Sequence, residues 1–93
     1  MQNAIDGIIY DTETATLLAR DANYDDLSRP FAYTELYRSP KGHYFKAKTL
    51  SLMPPSTELA RLSLEEAIKE FNALPNRLYD FREAFPDAEF ADA

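Results

Sequence analysis

Ninety-three residues, a formal net charge of −6, a pI near 4.6 and no cysteine bound what this chain can be. That length holds one core and leaves no room for two. The missing thiols exclude disulfides and thiolate metal sites, and the acidity disfavours anionic partners such as nucleic acid and membrane surfaces. The charge is also uneven: residues 1–29 carry a net −4, residues 30–50 a net +3 and residues 51–93 a net −5. A mildly basic middle between acidic flanks reads first as solvated surface. No apolar run approaches the ~18 residues of a membrane helix, and the N-terminus has no basic flank, so neither a span nor a signal peptide is expected.

Ile5, Ile8, Ile9 and Tyr10 form a β-prone run interrupted by Asp6-Gly7, a strong turn signal. The dipeptide either closes a small hairpin with residues 1–5 or starts a strand at Ile8–Tyr10. Asp11 or Thr12 then suits a helix N-cap and Glu13 the positive end of the helix dipole. Ala15, Leu18 and Ala19 supply an i, i+3, i+4 stripe, which predicts a short helix from Glu13 to Arg20. Residues 21–30 are polar and acidic, end at Pro30 and read as a loop.

Aromatic and β-branched residues surround Ser39-Pro40-Lys41-Gly42, which predicts a hairpin of Phe31–Arg38 with His43–Leu50. Two registers fit. In the preferred one Arg38 faces His43, Leu36 pairs with Phe45, Glu35 with Lys46 and Tyr37 with Tyr44. It matches opposite charges and segregates Leu36, Phe45 and Ala47 as a core face. In the other, Ser39 faces His43 with a bulge at Gly42, Tyr37 pairs with Phe45 and Glu35 with Ala47.

Pro54-Pro55 breaks the pattern. Ser63 and Glu66 then make a capping box, Leu64, Ala67, Ile68, Phe71 and Leu74 follow at helical spacing, and Pro75 ends the helix. A further helix is expected from Asn76 to Phe85, with Leu78, Phe81 and Phe85 as its stripe. The predicted fold is α+β: a small antiparallel β-sheet (β-α-β-β-α-α) with helices packed on one face. Residues 1–86 form the single domain, and residues 87–93 a frayed acidic tail.

No catalytic constellation emerges. His43 is the only histidine, and the spacing offers no pair of zinc ligands. Gly7 and Gly42 are both explained by turns, so there is no glycine-rich phosphate loop. Asp25-Asp26 and Glu65-Glu66 lie in polar context, whereas a general acid needs burial to raise its pKa. No enzyme, metal or cofactor is expected. The excess of tyrosine, six in a chain without tryptophan, is more informative. In the preferred register Tyr33, Tyr37 and Tyr44 share a face beside Lys46 and Lys48. That face is core under a helix, a protein interface, or a stacking platform for nucleic acid.

Three stretches carry a resemblance. "IDGIIYDTETATLLAR", "TELYRSPKGHYF" and "LSLEEAIKEF" resemble a family of small proteins of phages, plasmids and other mobile elements. That family's pattern is a strand, YDTETA, a polar loop, LY-turn-G-x-(Y/W)-F and a helix opening LS-x-E-E-A. The matching positions are Tyr10 to Ala15, Leu36 and Tyr37, Lys41 to Phe45 with Gly42, and Leu62 to Ala67, in roughly the first three quarters of the chain. The match departs after the second hairpin strand, where relatives carry a Gly-rich stretch and this chain reads "KAKTLSLMPPSTE".

The resemblance implies a mobile-element setting in the cytoplasm of a bacterial host, with no catalytic residue to transfer. Small acidic proteins in that setting often act by binding, anti-CRISPR proteins among them, so the function expected is a non-enzymatic protein-binding module that inhibits a host defence complex. The partner expected is a CRISPR–Cas effector subunit, whose basic nucleic-acid-binding surface an acidic protein would occupy. The candidate contacts are Asp21, Asp25 and Asp26 around Tyr24, with Asp87, Glu89 and Asp92 as a second patch and Tyr33, Tyr37 and Tyr44 on the hairpin. The alternative is a regulatory module that binds nucleic acid through Lys41, Lys46 and Lys48. A hairpin edge and an aromatic face also allow a homodimer.

Overall fold

A computed structural model describes residues 2–5, 7–21, 32–50 and 56–86. In chain order the elements are β1 (Gln2–Ile5), β2 (Ile8–Asp11), β3 (Thr16–Arg20), β4 (Ala32–Arg38), β5 (Tyr44–Leu50), β6 (Ser56–Leu62), α1 (Leu64–Ala73), β7 (Asn76–Arg77) and α2 (Phe81–Ala84). The chain is mainly β. β1 and β2 pair as an antiparallel hairpin closed at Gly7, whose φ of 78° is one that L side chains rarely adopt. The other strands form an antiparallel sheet in the order β6-β5-β4-β3-β7. Strands β3 to β6 run as a meander, and β7 returns to the far side of β3.

This topology explains where α1 lies. It joins β6 at one edge to β7 at the other, so the chain must cross the sheet between them. Ten helical residues span ~15 Å, against ~19 Å for four strand spacings. The helix and its short flanks therefore bridge one face. Its start is the predicted capping box: Ser63 Oγ accepts from the Glu66 N–H at 3.2 Å, and Glu66 Oε1 accepts from the Ser63 N–H at 3.0 Å. Its C-terminus has no basic residue in the last turn. Arg77 supplies one from β7, donating to the carbonyls of Phe71 at 2.9 Å and Asn72 at 2.8 Å.

The expected α+β order is overturned at three places. The first is the predicted helix Glu13–Arg20. Asp11 does cap one turn, with the Glu13 N–H on its carboxylate at 3.0 Å and the Ala15 N–H on its carbonyl at 3.1 Å. That turn is not continued, and Thr16–Arg20 enters the sheet as β3. A bulge between Leu17 and Ala19 puts both Leu18 and Ala19 into one core cluster. The bulge thus produces a spacing that resembles a helical stripe. The second is β6, unanticipated after Pro54-Pro55. The third is the predicted helix Asn76–Phe85. Asn76–Arg77 instead pairs with Ala19 and Arg20, and a fresh capping box at Asp80 and Glu83 starts the four-residue α2.

The β4–β5 hairpin adopts the register that was not preferred. Arg38 faces Tyr44, Tyr37 faces Phe45, Leu36 faces Lys46 and Glu35 faces Ala47. The turn decides it. The Gly42 N–H donates to the Ser39 carbonyl at 2.9 Å, Gly42 takes φ 86°, and the Ser39 N–H donates to the His43 carbonyl at 2.8 Å. This is a three-residue loop ending in a left-handed glycine, and it requires Ser39 to face His43. A Glu35–Lys46 pairing, worth under about 1 kcal/mol at a surface, could not override that geometry. Lys46 reaches Glu70 of α1 instead, at 3.3 Å, and Glu35 accepts from the Tyr37 hydroxyl at 3.2 Å.

The register divides the core into two. On the helix side lie Leu18, Ala19, Leu36 and Tyr44 with Ala67, Phe71, Leu74, Ala84 and Phe85. On the opposite side Tyr37, Phe45, Ala47 and Leu59 pack with Tyr10 of the β1–β2 hairpin. Phe45 is fully buried, stacked on Tyr37 at 5.3 Å and edge-on to Tyr10 at 5.2 Å. The sheet is covered on both sides, by helices on one and by the N-terminal hairpin on the other.

Candidate binding surface

Of the acidic residues expected to bind a partner, Asp21 alone lies in the described residues. It extends the β3–β4 ladder: its N–H donates to the Thr34 carbonyl at 3.1 Å, and its Oδ2 accepts from the Thr34 N–H at 3.0 Å. Its position is exposed. Tyr24, Asp25, Asp26, Asp87, Glu89 and Asp92 lie outside the described residues.

The three hairpin tyrosines do not share a face. Tyr33 and Tyr37 alternate onto the side of the β1–β2 hairpin, while Tyr44 joins the helix-side core. All three are buried, at 8%, 9% and 6% exposure, so none offers a ring for stacking. The hairpin lysines are dispersed as well. Lys46 is held by Glu70, and Lys48 stands opposite Glu58 of β6. Lys41 and Lys48 are both exposed, and Lys41 stands at the turn.

Among the described residues, three hollows gather at this turn. A hollow of about 280 Å³ opens between Ile8, His43, Arg61 and Leu64. A second, of about 440 Å³, lies between Ile8, Ile9, Pro40, Lys41 and His43. A third, of about 310 Å³, lies between Arg38, Lys41, Gly42 and Pro86. Shared walls at Ile8, His43, Lys41 and Gly42 make them one surface wrapped around the Ser39–His43 turn. Three elements build it. The three-residue turn projects His43, the β1–β2 hairpin brings Ile8 and Ile9, and the β6–α1 junction brings Arg61 and Leu64. Tyr10 of β2 meets the turn edge-on to His43 at 6.3 Å. Ile9 is 63% exposed and Leu64 38%. Sequence reading missed this surface because it joins three segments distant from one another in the chain. Only the isolated "SPKGH" turn was visible.

Two charged residues near it serve the fold. Arg38 donates to the carbonyls of Glu83 at 3.0 Å and Ala84 at 2.9 Å, capping α2 at the point where Pro86 brings no N–H of its own. Glu66 is held below the ordinary glutamate pKa, chiefly by its hydrogen bonds with the Ser63 backbone and side chain, then by Lys46 and Arg61. Among the described residues no group of three or more histidine or carboxylate side chains converges to hold a metal ion. Nor, among them, is any helix long and apolar enough to cross a membrane. Comparison with protein-family models, with curated proteins and with solved structures finds no match to this chain.

Proposed function

We infer that the chain is a non-enzymatic protein-binding module. In a mobile-element setting it inhibits a host defence complex of the CRISPR–Cas kind, by occupying a basic nucleic-acid-binding surface of an effector subunit. One observation supports a protein partner over nucleic acid: several of the cations are engaged by the fold itself. Arg38 and Arg77 sit on helix carbonyls, Lys46 sits on Glu70, and Lys48 faces Glu58. A chain of net −6 carries an excess of carboxylates, and part of its basic charge is engaged within the fold. Such a chain is steered toward Lys/Arg-lined surfaces and away from phosphate backbones. The dispersed lysines and buried tyrosines weigh against a nucleic-acid module.

The test is competition. Purified effector complexes are mixed with fluorescent target DNA and this chain at low and moderate salt. Expected is displacement of DNA at near-stoichiometric chain, weaker as salt rises, and lost in the Asp21→Lys, Asp25→Lys, Asp26→Lys variant. Undiminished displacement by that folded variant would remove the acidic segment from the mechanism. No displacement from any effector would remove the inhibitor reading.

A further inference from the structure

We propose that the surface around the Ser39–His43 turn is a second docking site, distinct from the acidic segments, and that it takes an acidic peptide carrying large apolar side chains. The argument is one of charge complementarity. The chain holds 16 acidic and 10 basic residues, yet among the described residues no carboxylate lines any of the three hollows at this turn. Lys41 and Arg61 line them instead, with His43 beside them, all three exposed, and Arg61 also acts on Glu66. Between these polar groups stand Ile8, Ile9 and Leu64, two of them with large exposed area.

The arrangement fits one chemistry better than others. Exposed aliphatic side chains between separated cations suit a peptide that alternates carboxylates with apolar anchors. A bare polyanion would leave Ile9 and Leu64 in water. An uncharged apolar peptide would make no use of the cationic rim. His43 lines two of the hollows, so an extended peptide of a few residues that reaches both would contact it. Ile8 packs against the core beneath, but neither Ile9 nor Lys41 belongs to a buried cluster, so the demands of the core do not fix those two residues. The site is independent of the inhibitor reading, because it uses neither Asp21 nor the residues around it.

The test uses the full chain and a short fluorescein-labelled peptide alternating glutamate with leucine, read by anisotropy. Two control peptides carry lysine for glutamate, or serine for leucine. Expected is saturable binding of the first peptide only, weakened about tenfold in the Lys41→Glu, Arg61→Glu variant and also in Ile9→Ser. Both variants change exposed side chains, and unchanged thermal melting confirms that they fold. Binding of the glutamate–serine peptide as tightly as the first, or displacement of the first by an oligonucleotide, would overturn the proposal by showing a site for any polyanion. No saturable binding, or binding indifferent to both variants, would also overturn it. Tighter binding after Asp87, Glu89 and Asp92 are changed to asparagine would overturn a partner in trans and make the chain's own acidic tail the occupant.

Discussion

At the level of single residues, the same side-chain chemistry has different outcomes according to the residues downstream of it. Asp11 and Ser63 both accept backbone N–H bonds that open a helical turn. After Ser63 the turn runs on into ten helical residues, because Ala67 and Phe71 bury against the sheet. After Asp11 it stops within one turn, because Leu18 and Ala19 bury better as a bulged strand. The cap was legible in both cases, and its continuation was not, since that depends on partners distant in sequence. Ser63→Ala should cost about 1 kcal/mol, measured by urea unfolding.

Glu66 makes a pH-dependent contribution whose sign is set by its lowered pKa. A carboxyl depressed in the folded state adds stability above its unfolded value, and that stability is lost as pH falls through the folded one. Glu66→Ala should therefore lower the melting temperature at neutral pH. The gap to the parent should narrow as pH drops below the ordinary glutamate value of 4.5. Gly42 is constrained by its backbone. At φ 86° any side chain is strained, so Gly42→Ala should cost roughly 1–2 kcal/mol by the same unfolding measurement.

At the level of elements, α1 and the β4–β5 hairpin were legible because each carries its own boundary signals. Ser63, Glu66 and Pro75 bracket the helix, and Pro40 with Gly42 makes the turn. β6 lacked such signals. Its sequence "STELARL" alternates Thr57, Leu59 and Arg61 on one face, but apart from Thr57 it contains no β-branched residue. What makes it a strand is β5, which offers an edge to pair with. The capping pattern Asp80–Glu83 was present in the sequence and marked the start of α2. The Leu78, Phe81, Phe85 spacing concealed it by suggesting a helix already under way. Leu78 stands 48% exposed, outside the stripe to which it was assigned.

The two-sided sheet makes a distinct prediction at this scale. Phe45 sits between Tyr37 and Tyr10, so it ties the N-terminal hairpin to the sheet. Phe45→Ala should cost ~3–5 kcal/mol, with hydrogen exchange accelerating in β1 and β2. Under a face covered by helices alone, as the preferred register implied, exchange in β1 and β2 would be no more affected than elsewhere.

At the level of the whole molecule, a small sheet with both faces occupied leaves its function to edges, turns and termini. The acidic segments expected to bind a partner are separated from the turn surface in chemistry as well as in residues. One set is carboxylate and tyrosine, the other cation and aliphatic. The sequence hinted at this polarity in its acidic flanks and basic middle. It could not show that Lys46 pairs with Glu70 of α1 and Lys48 stands opposite Glu58, while Lys41 and Arg61 line the hollows at the turn. That sorting comes from hairpin register and from the crossing of α1, both of which are tertiary.

Side-by-side titration tests a protein partner against a nucleic-acid partner most directly. The labelled chain is titrated with a nucleic-acid-free CRISPR–Cas effector complex, with random duplex DNA and with RNA, at low and moderate salt. The predicted result is binding to the effector that weakens as salt rises, and no binding to either nucleic acid. Binding to DNA or RNA with the effector untouched would contradict it, and would place the function of the chain on phosphate recognition.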